Sequence, residues 1–146
     1  MILPDVNLLV YAHDELAPLH GPARTWWEEL LSGRQTVLLP WVVVFGFVRL
    51  VTHPSVLRDP LAPGAALLRV RAWLDRPRTE LVEPGPRHLD IVQRLFESTG
   101  VGGNLTTDTH LAALAIEHRC ELHSNDNDFG RFPGLRWHNP LAGERP

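Results

Sequence analysis

The chain has 146 residues, 44% of them hydrophobic and 21% charged. That is enough apolar material for one packed domain, taken here as 1–146, and too little chain for two of ordinary size. The formal net charge of −3 excludes a protein that holds nucleic acid by bulk positive charge, so any such binding must be local. A single cysteine, Cys120, excludes an internal disulfide, and no Cys/His group has zinc-ligand spacing. The opening Met1-Ile2-Leu3-Pro4-Asp5 lacks the basic start of a signal peptide, and the longest apolar run, Val37 to Val48, is too short to span a bilayer. Together these features point to a cytoplasmic protein without a membrane segment. All 14 basic residues are arginine, whose planar fork suits phosphate. The absence of lysine argues against a P-loop enzyme and against receiver or phosphatase chemistry, and no Gly-x-Gly-x-x-Gly supports a dinucleotide site.

In chain order, the pattern predicts a short apolar strand at 2–5, followed by a helix from Val6 to about His13. An amphipathic helix at about 21–31 carries Trp26, Trp27, Leu30 and Leu31, with Gly33 at the place of a C-cap glycine. Thr36 to Leu39 reads as a buried strand, and Pro40 opens a helix at about 41–52. Pro54, Pro60 and Pro63 mark a loop. A helix at about 64–75 follows, with Leu67, Leu68, Val70, Trp73 and Leu74 as its apolar residues, then a strand at 80–83. Residues 87–98 are helical, with Leu89, Ile91, Val92, Leu95 and Phe96. Past the glycine-rich turn at Gly100, Gly102 and Gly103, Asp108 opens a helix reaching about 118, with Thr106 or Thr107 available to cap it. Strands at 121–124 and 135–138 complete the chain. Alternation of strands and helices defines an α/β fold, with a central, mainly parallel sheet flanked by helices.

The aspartates fall at telling places. Asp5 ends the first strand, Asp108 begins a helix, and Asp126 and Asp128 follow the strand that ends at Ser124. In a parallel α/β sheet, ligands bind beyond the carboxyl ends of the strands, where these segments can meet. Converging carboxylates repel one another unless a cation neutralises them, and oxygen ligands select hard cations such as Mg²⁺ or Mn²⁺. Such an ion promotes phosphodiester hydrolysis without a protein nucleophile. Each acid taken singly also has a purely structural reading. Asp5 can cap a helix, Asp108 can complement a helix dipole, and Asp126 and Asp128 lie in a turn-forming run with Asn125 and Asn127. The functional case rests on the set. His138 shows no partner in the sequence. Arg49, Arg69, Arg71, Arg76 and Arg131 are candidates for phosphate contact, with solvated surface roles equally open.

Three stretches carry a resemblance: Pro4-Asp5-Val-Asn7-Leu-Leu-Val-Tyr-Ala, Asn104-Leu-Thr-Thr-Asp108-Thr-His-Leu-Ala-Ala-Leu, and Leu122-His-Ser124-Asn-Asp126-Asn-Asp128-Phe129 running on to Asn139-Pro140-Leu141. In this order, over nearly the whole chain, they resemble the motifs of PIN-domain proteins, and among these the VapC toxins of bacterial toxin–antitoxin pairs. The resemblance implies an endoribonuclease dependent on Mg²⁺ or Mn²⁺, a cognate antitoxin as protein partner, RNA as substrate, and a homodimer. It implies Asp5 and Asp108 as metal ligands, Asp126 and Asp128 as further acidic site residues, and Asn7 and Ser124 as supporting polar residues. One position departs from the family pattern. A glutamate is expected on the helix after the second strand, and the place falls near Gly46 or Phe47, where this chain has no acid. That absence keeps open a second reading, a PIN-like module that binds RNA or protein without cutting.

Overall fold

The computed structural model describes residues 1–143. Five strands, β1 (Ile2–Pro4), β2 (Val37–Pro40), β3 (Thr79–Val82), β4 (Glu121–His123) and β5 (Trp137–His138), form one parallel sheet of order β3-β2-β1-β4-β5. The connecting helices are α1 (Val6–His13), α2 (His20–Ser32), α3 (Trp41–Val51), α4 (Pro63–Leu74), α5 (His88–Thr99) and α6 (Thr106–Glu117). A 3₁₀ turn at Gly103–Leu105 leads into α6, and another at Asn127–Arg131 follows β4. Every strand pairing is parallel, so the connections must cross over, and helices do this by burying one face on the sheet.

Strands β1 and β2 are buried along their whole length, which explains their unbroken apolar runs. Around them pack Leu9 of α1, Trp27 of α2, Phe47 of α3 and Trp73 of α4, all at most a few per cent exposed. Phe47 and Trp73 meet edge-on with ring centres 4.6 Å apart, and Trp27 meets Trp73 at 5.3 Å.

Several expectations shift. Gly33 does end α2, but its φ of −83° lies outside the left-handed region, and what the position excludes is bulk: a Cβ there would stand 3.0 Å from the Glu29 carbonyl oxygen. The left-handed cap falls instead at Gly100, after α5, with φ 66°. Leu68 and Leu89 are 67% and 79% exposed, so they belong to the outer faces of α4 and α5. The buried stripe of each helix is narrower than its apolar residue types predict. Asp108 is the third residue of α6 rather than its opening residue, and neither Thr106 nor Thr107 caps it: the cap position is Leu105, prepared by the preceding 3₁₀ turn. His138 has a partner after all, its ring lying 5.1 Å from that of His123 on the neighbouring strand.

Candidate metal centre

Pairing of β1 with β4 in register, Pro4 opposite His123, brings the two strand ends to one point on the sheet edge. The Asp5 N–H extends that ladder by donating to the His123 carbonyl at 2.8 Å. The side chain of Asp5 is 7% exposed and fully engaged. Its Oδ1 accepts from the Val6 N–H at 2.8 Å, and its Oδ2 accepts from the Ser124 hydroxyl at 2.7 Å. The helix-cap reading of Asp5 holds, and the same carboxylate is tied through Ser124 to the turn that carries Asp126.

Ser124 is completely buried and links the strands. Besides donating to Asp5, its Oγ accepts from the Asp126 N–H at 3.0 Å. Asp126 in turn accepts from the Asp128 N–H at 2.9 Å, which caps the 3₁₀ turn. One run of hydrogen bonds thus ties Asp5, Ser124, Asp126 and Asp128. From the other side, the first turn of α6 presents Asp108. Single carboxylate oxygens of Asp108, Asp126 and Asp128 lie within 4.8 Å of one another, each residue half-buried.

The electrostatic cost is visible in the acids. Burial, above all, holds the Asp5 carboxyl above the ordinary carboxylate range, and the charge of Asp126 adds to it. Burial, and after it the charges of Asp5, Asp126 and Asp128, push Asp108 up to about 6. Of the described basic side chains only Arg131 pairs with the cluster, 3.1 Å from Asp128.

An all-oxygen, half-buried, mutually repelling set fits a hard divalent cation. Asp108, Asp126 and Asp128 would hold such an ion, each offering one carboxylate oxygen to the cluster. The residues present fit the group.

Of the residues singled out in the sequence, Asp5, Ser124, Asp108, Asp126 and Asp128 come together. Asn7 is exposed on the first turn of α1, with no side-chain hydrogen bond among the described residues. The missing glutamate has a physical counterpart. At Gly46 a Cβ would lie 3.2 Å from Cγ2 of Val6, the residue after Asp5, and Phe47 is wholly buried. Helix α3 thus approaches the start of α1 too closely at Gly46 for an acid to be added without displacing Val6.

A support not read from the sequence lies behind Ser124. The indole N–H of Trp26 donates to Nδ1 of His123 at 3.0 Å, which leaves the ring proton on Nε2, where it donates to Glu121 at 2.7 Å. The polar–apolar–polar order Glu121-Leu122-His123 was the available signal: it gives β4 one polar face.

A parallel α/β domain with acids gathered at the carboxyl edge of its central strands belongs to the class of α/β proteins whose ligands bind at that edge. A PIN domain model matches residues 2–135. Ribonuclease VapC33 of Mycobacterium tuberculosis is 44% identical over 141 residues, 97% of this chain and 99% of that protein. The fold matches VapBC2 from Rickettsia felis, bound to a fragment of promoter DNA, with a TM-score of 0.69 at 21% identity over 95% of this chain and 98% of that one. It also matches a toxin–antitoxin complex from Klebsiella pneumoniae, with a TM-score of 0.61 at 15% identity over 96% and 98%. The chain belongs to the PIN-domain family, in its VapC branch.

Proposed function

We propose that this chain is an endoribonuclease that hydrolyses RNA phosphodiester bonds with Mg²⁺ or Mn²⁺, as the toxin of a toxin–antitoxin pair. The observation that carries the reading is the convergence of Asp108, Asp126 and Asp128 within 4.8 Å, beside an Asp5 fixed by Ser124. Identity of 44% to a protein named a ribonuclease supports the activity, and the fold shared with toxin–antitoxin complexes supports an antitoxin as partner.

Asp5, Asp108, Asp126 and Asp128 would hold the cation as an acidic ring, the last three converging within 4.8 Å. When bound, the ion supplies Lewis acidity, lowering the pKa of water and offsetting charge on the phosphate. Ser124 keeps Asp5 aimed by occupying one of its oxygens. A carboxylate of the ring accepts the proton of the water whose oxygen attacks phosphorus; the ester P–O bond opposite breaks, and the leaving oxygen takes a proton from solvent. Asn7, exposed on the first turn of α1, is a supporting polar residue of the site. The chain works as a homodimer in the cytoplasm, silenced there by its antitoxin.

The test is cleavage of a panel of structured RNAs by purified protein with Mg²⁺, Mn²⁺ or EDTA, beside Asp5→Asn and Asp108→Asn. Metal-dependent cutting lost in both variants supports the reading and makes the family glutamate dispensable. RNA binding without cutting, from protein shown to be free of antitoxin, replaces it with the binding-module reading.

A further inference from the structure

Arg131 closes the 3₁₀ turn that follows Asp126, and its guanidinium Nη2 stands 3.1 Å from Oδ1 of Asp128. The two side chains are 51% and 42% exposed, so the pair is open to water and worth little as a stabilising contact. Its position is what matters. Asp128 is one of the three converging acids, and Arg131 is the only described basic side chain that ion-pairs with any of them. Protein cation and metal cation thus compete for one carboxylate. A divalent ion bound among three acids outweighs a single solvated guanidinium. An arginine released there has a free planar fork beside the place where a phosphate must sit, with no other acid of the described residues paired to it.

We propose that Arg131 is an exchangeable counter-charge: it neutralises Asp128 in the metal-free protein and, displaced by the cation, binds the phosphate of the RNA substrate. Metal loading and substrate capture are then linked through one side chain. The inference rests on the metal-site reading above.

The experiment measures Mn²⁺ affinity by calorimetry for wild type, Arg131→Gln, Arg131→Lys and Asp128→Asn, and then the affinity of each for a nucleoside monophosphate with and without Mn²⁺. A monophosphate has no internucleotide bond to cut, so activity does not enter. Removing the competitor should tighten Mn²⁺ binding in Arg131→Gln by about two- to fivefold, the equivalent of one exposed ion pair. Arg131→Lys, which keeps the charge, should stay at the wild-type value. With Mn²⁺ present, Arg131→Gln should bind the monophosphate about tenfold more weakly than wild type, as for loss of a charged hydrogen bond. Without Mn²⁺ the two should be alike. If wild type binds Mn²⁺, Asp128→Asn weakens it, and Arg131→Gln alters neither affinity, the exchange is overturned and the metal site stands. If wild type binds no Mn²⁺, both are overturned.

Discussion

The hydroxyl of Ser124 donates to Oδ2 of Asp5 at 2.7 Å, across a separation of 119 residues, and both partners are buried. Both partners sit at the carboxyl ends of paired parallel strands, so the bond depends on sheet register and reports on it. Replacing Ser124 by alanine leaves a buried carboxylate oxygen without a donor. The expected loss is about 2 kcal/mol, seen as a melting temperature lower by roughly 6 °C. Ser124→Thr, which keeps the hydroxyl, should recover part of this, and an alanine variant that melts like wild type would show the bond to be idle.

Asp108 gives the metal-free protein an opposite sensitivity. Its carboxyl titrates at about 6 in the fold and near 3.8 unfolded, so between these values the folded state holds the extra proton. Stability from this group is therefore greatest at low pH and is lost as pH rises through about 6. Asp108→Asn should melt higher than wild type in EDTA at pH 7.5, by about 1 kcal/mol once solvent screening of a half-exposed group is allowed for. That advantage should vanish near pH 4. Mn²⁺ should raise the melting temperature of wild type and not of the variant. An asparagine variant less stable than wild type at both pH values would remove repulsion from the account.

His123 works in the other direction. Burial, first of all, lowers its pKa, and its Nδ1 is occupied by the Trp26 N–H. A histidine kept neutral by the fold contributes stability above its unfolded pKa of about 6.5, and that contribution is lost as pH falls below it. Trp26→Phe should cost about 1 kcal/mol at pH 7.5 and should flatten the loss of stability between pH 7.5 and 5.5, because Nδ1 is then free to take the proton. Urea unfolding at the two pH values measures both. An unchanged pH slope would mean that the Trp26–His123 bond does not hold the tautomer.

The Gly46–Val6 contact lends itself to a double-mutant cycle. Gly46→Ala gains about 1 kcal/mol of helix propensity in α3 but sets a methyl group 3.2 Å from Val6 Cγ2. Alone it should be near neutral. In a Val6→Ala background the same change should stabilise by about 1 kcal/mol, and the difference measures the crowding. Gly46→Glu should not tighten Mn²⁺ binding and should lower the melting temperature, a result opposite in sign to that expected if an acid were simply missing from an open site.

The elements were legible because their patterns are strong. Val6–His13 was read to the residue, and the parallel sheet followed from strand–helix alternation. Helix faces were read less well: Leu68 and Leu89 are apolar by type yet face solvent, since a one-dimensional pattern does not say how wide a stripe the sheet will cover. In the site, the acids stood out because each falls at a strand end or helix start. The Trp26–His123–Glu121 support and the order of ties from Asp5 to Asp128 did not, because they join residues as far as 119 positions apart and, for His123, depend on ring orientation. Arg131 was one of five arginines open to a phosphate role, and only its 3.1 Å approach to Asp128 separates it from the others.

The acidic ring draws on Asp5, near the start of the chain, and on Asp126 and Asp128, near its end, with β4 inserted beside β1 to bring them together. During synthesis Asp5 emerges long before Asp126 and Asp128, and no partial chain ending before residue 126 can assemble the ring. Domains condense as units once enough chain is free, so the capacity to cut RNA should switch on late and all at once. A chain still lacking β4 and the turn after it should therefore show no cleavage, whatever its length before that point.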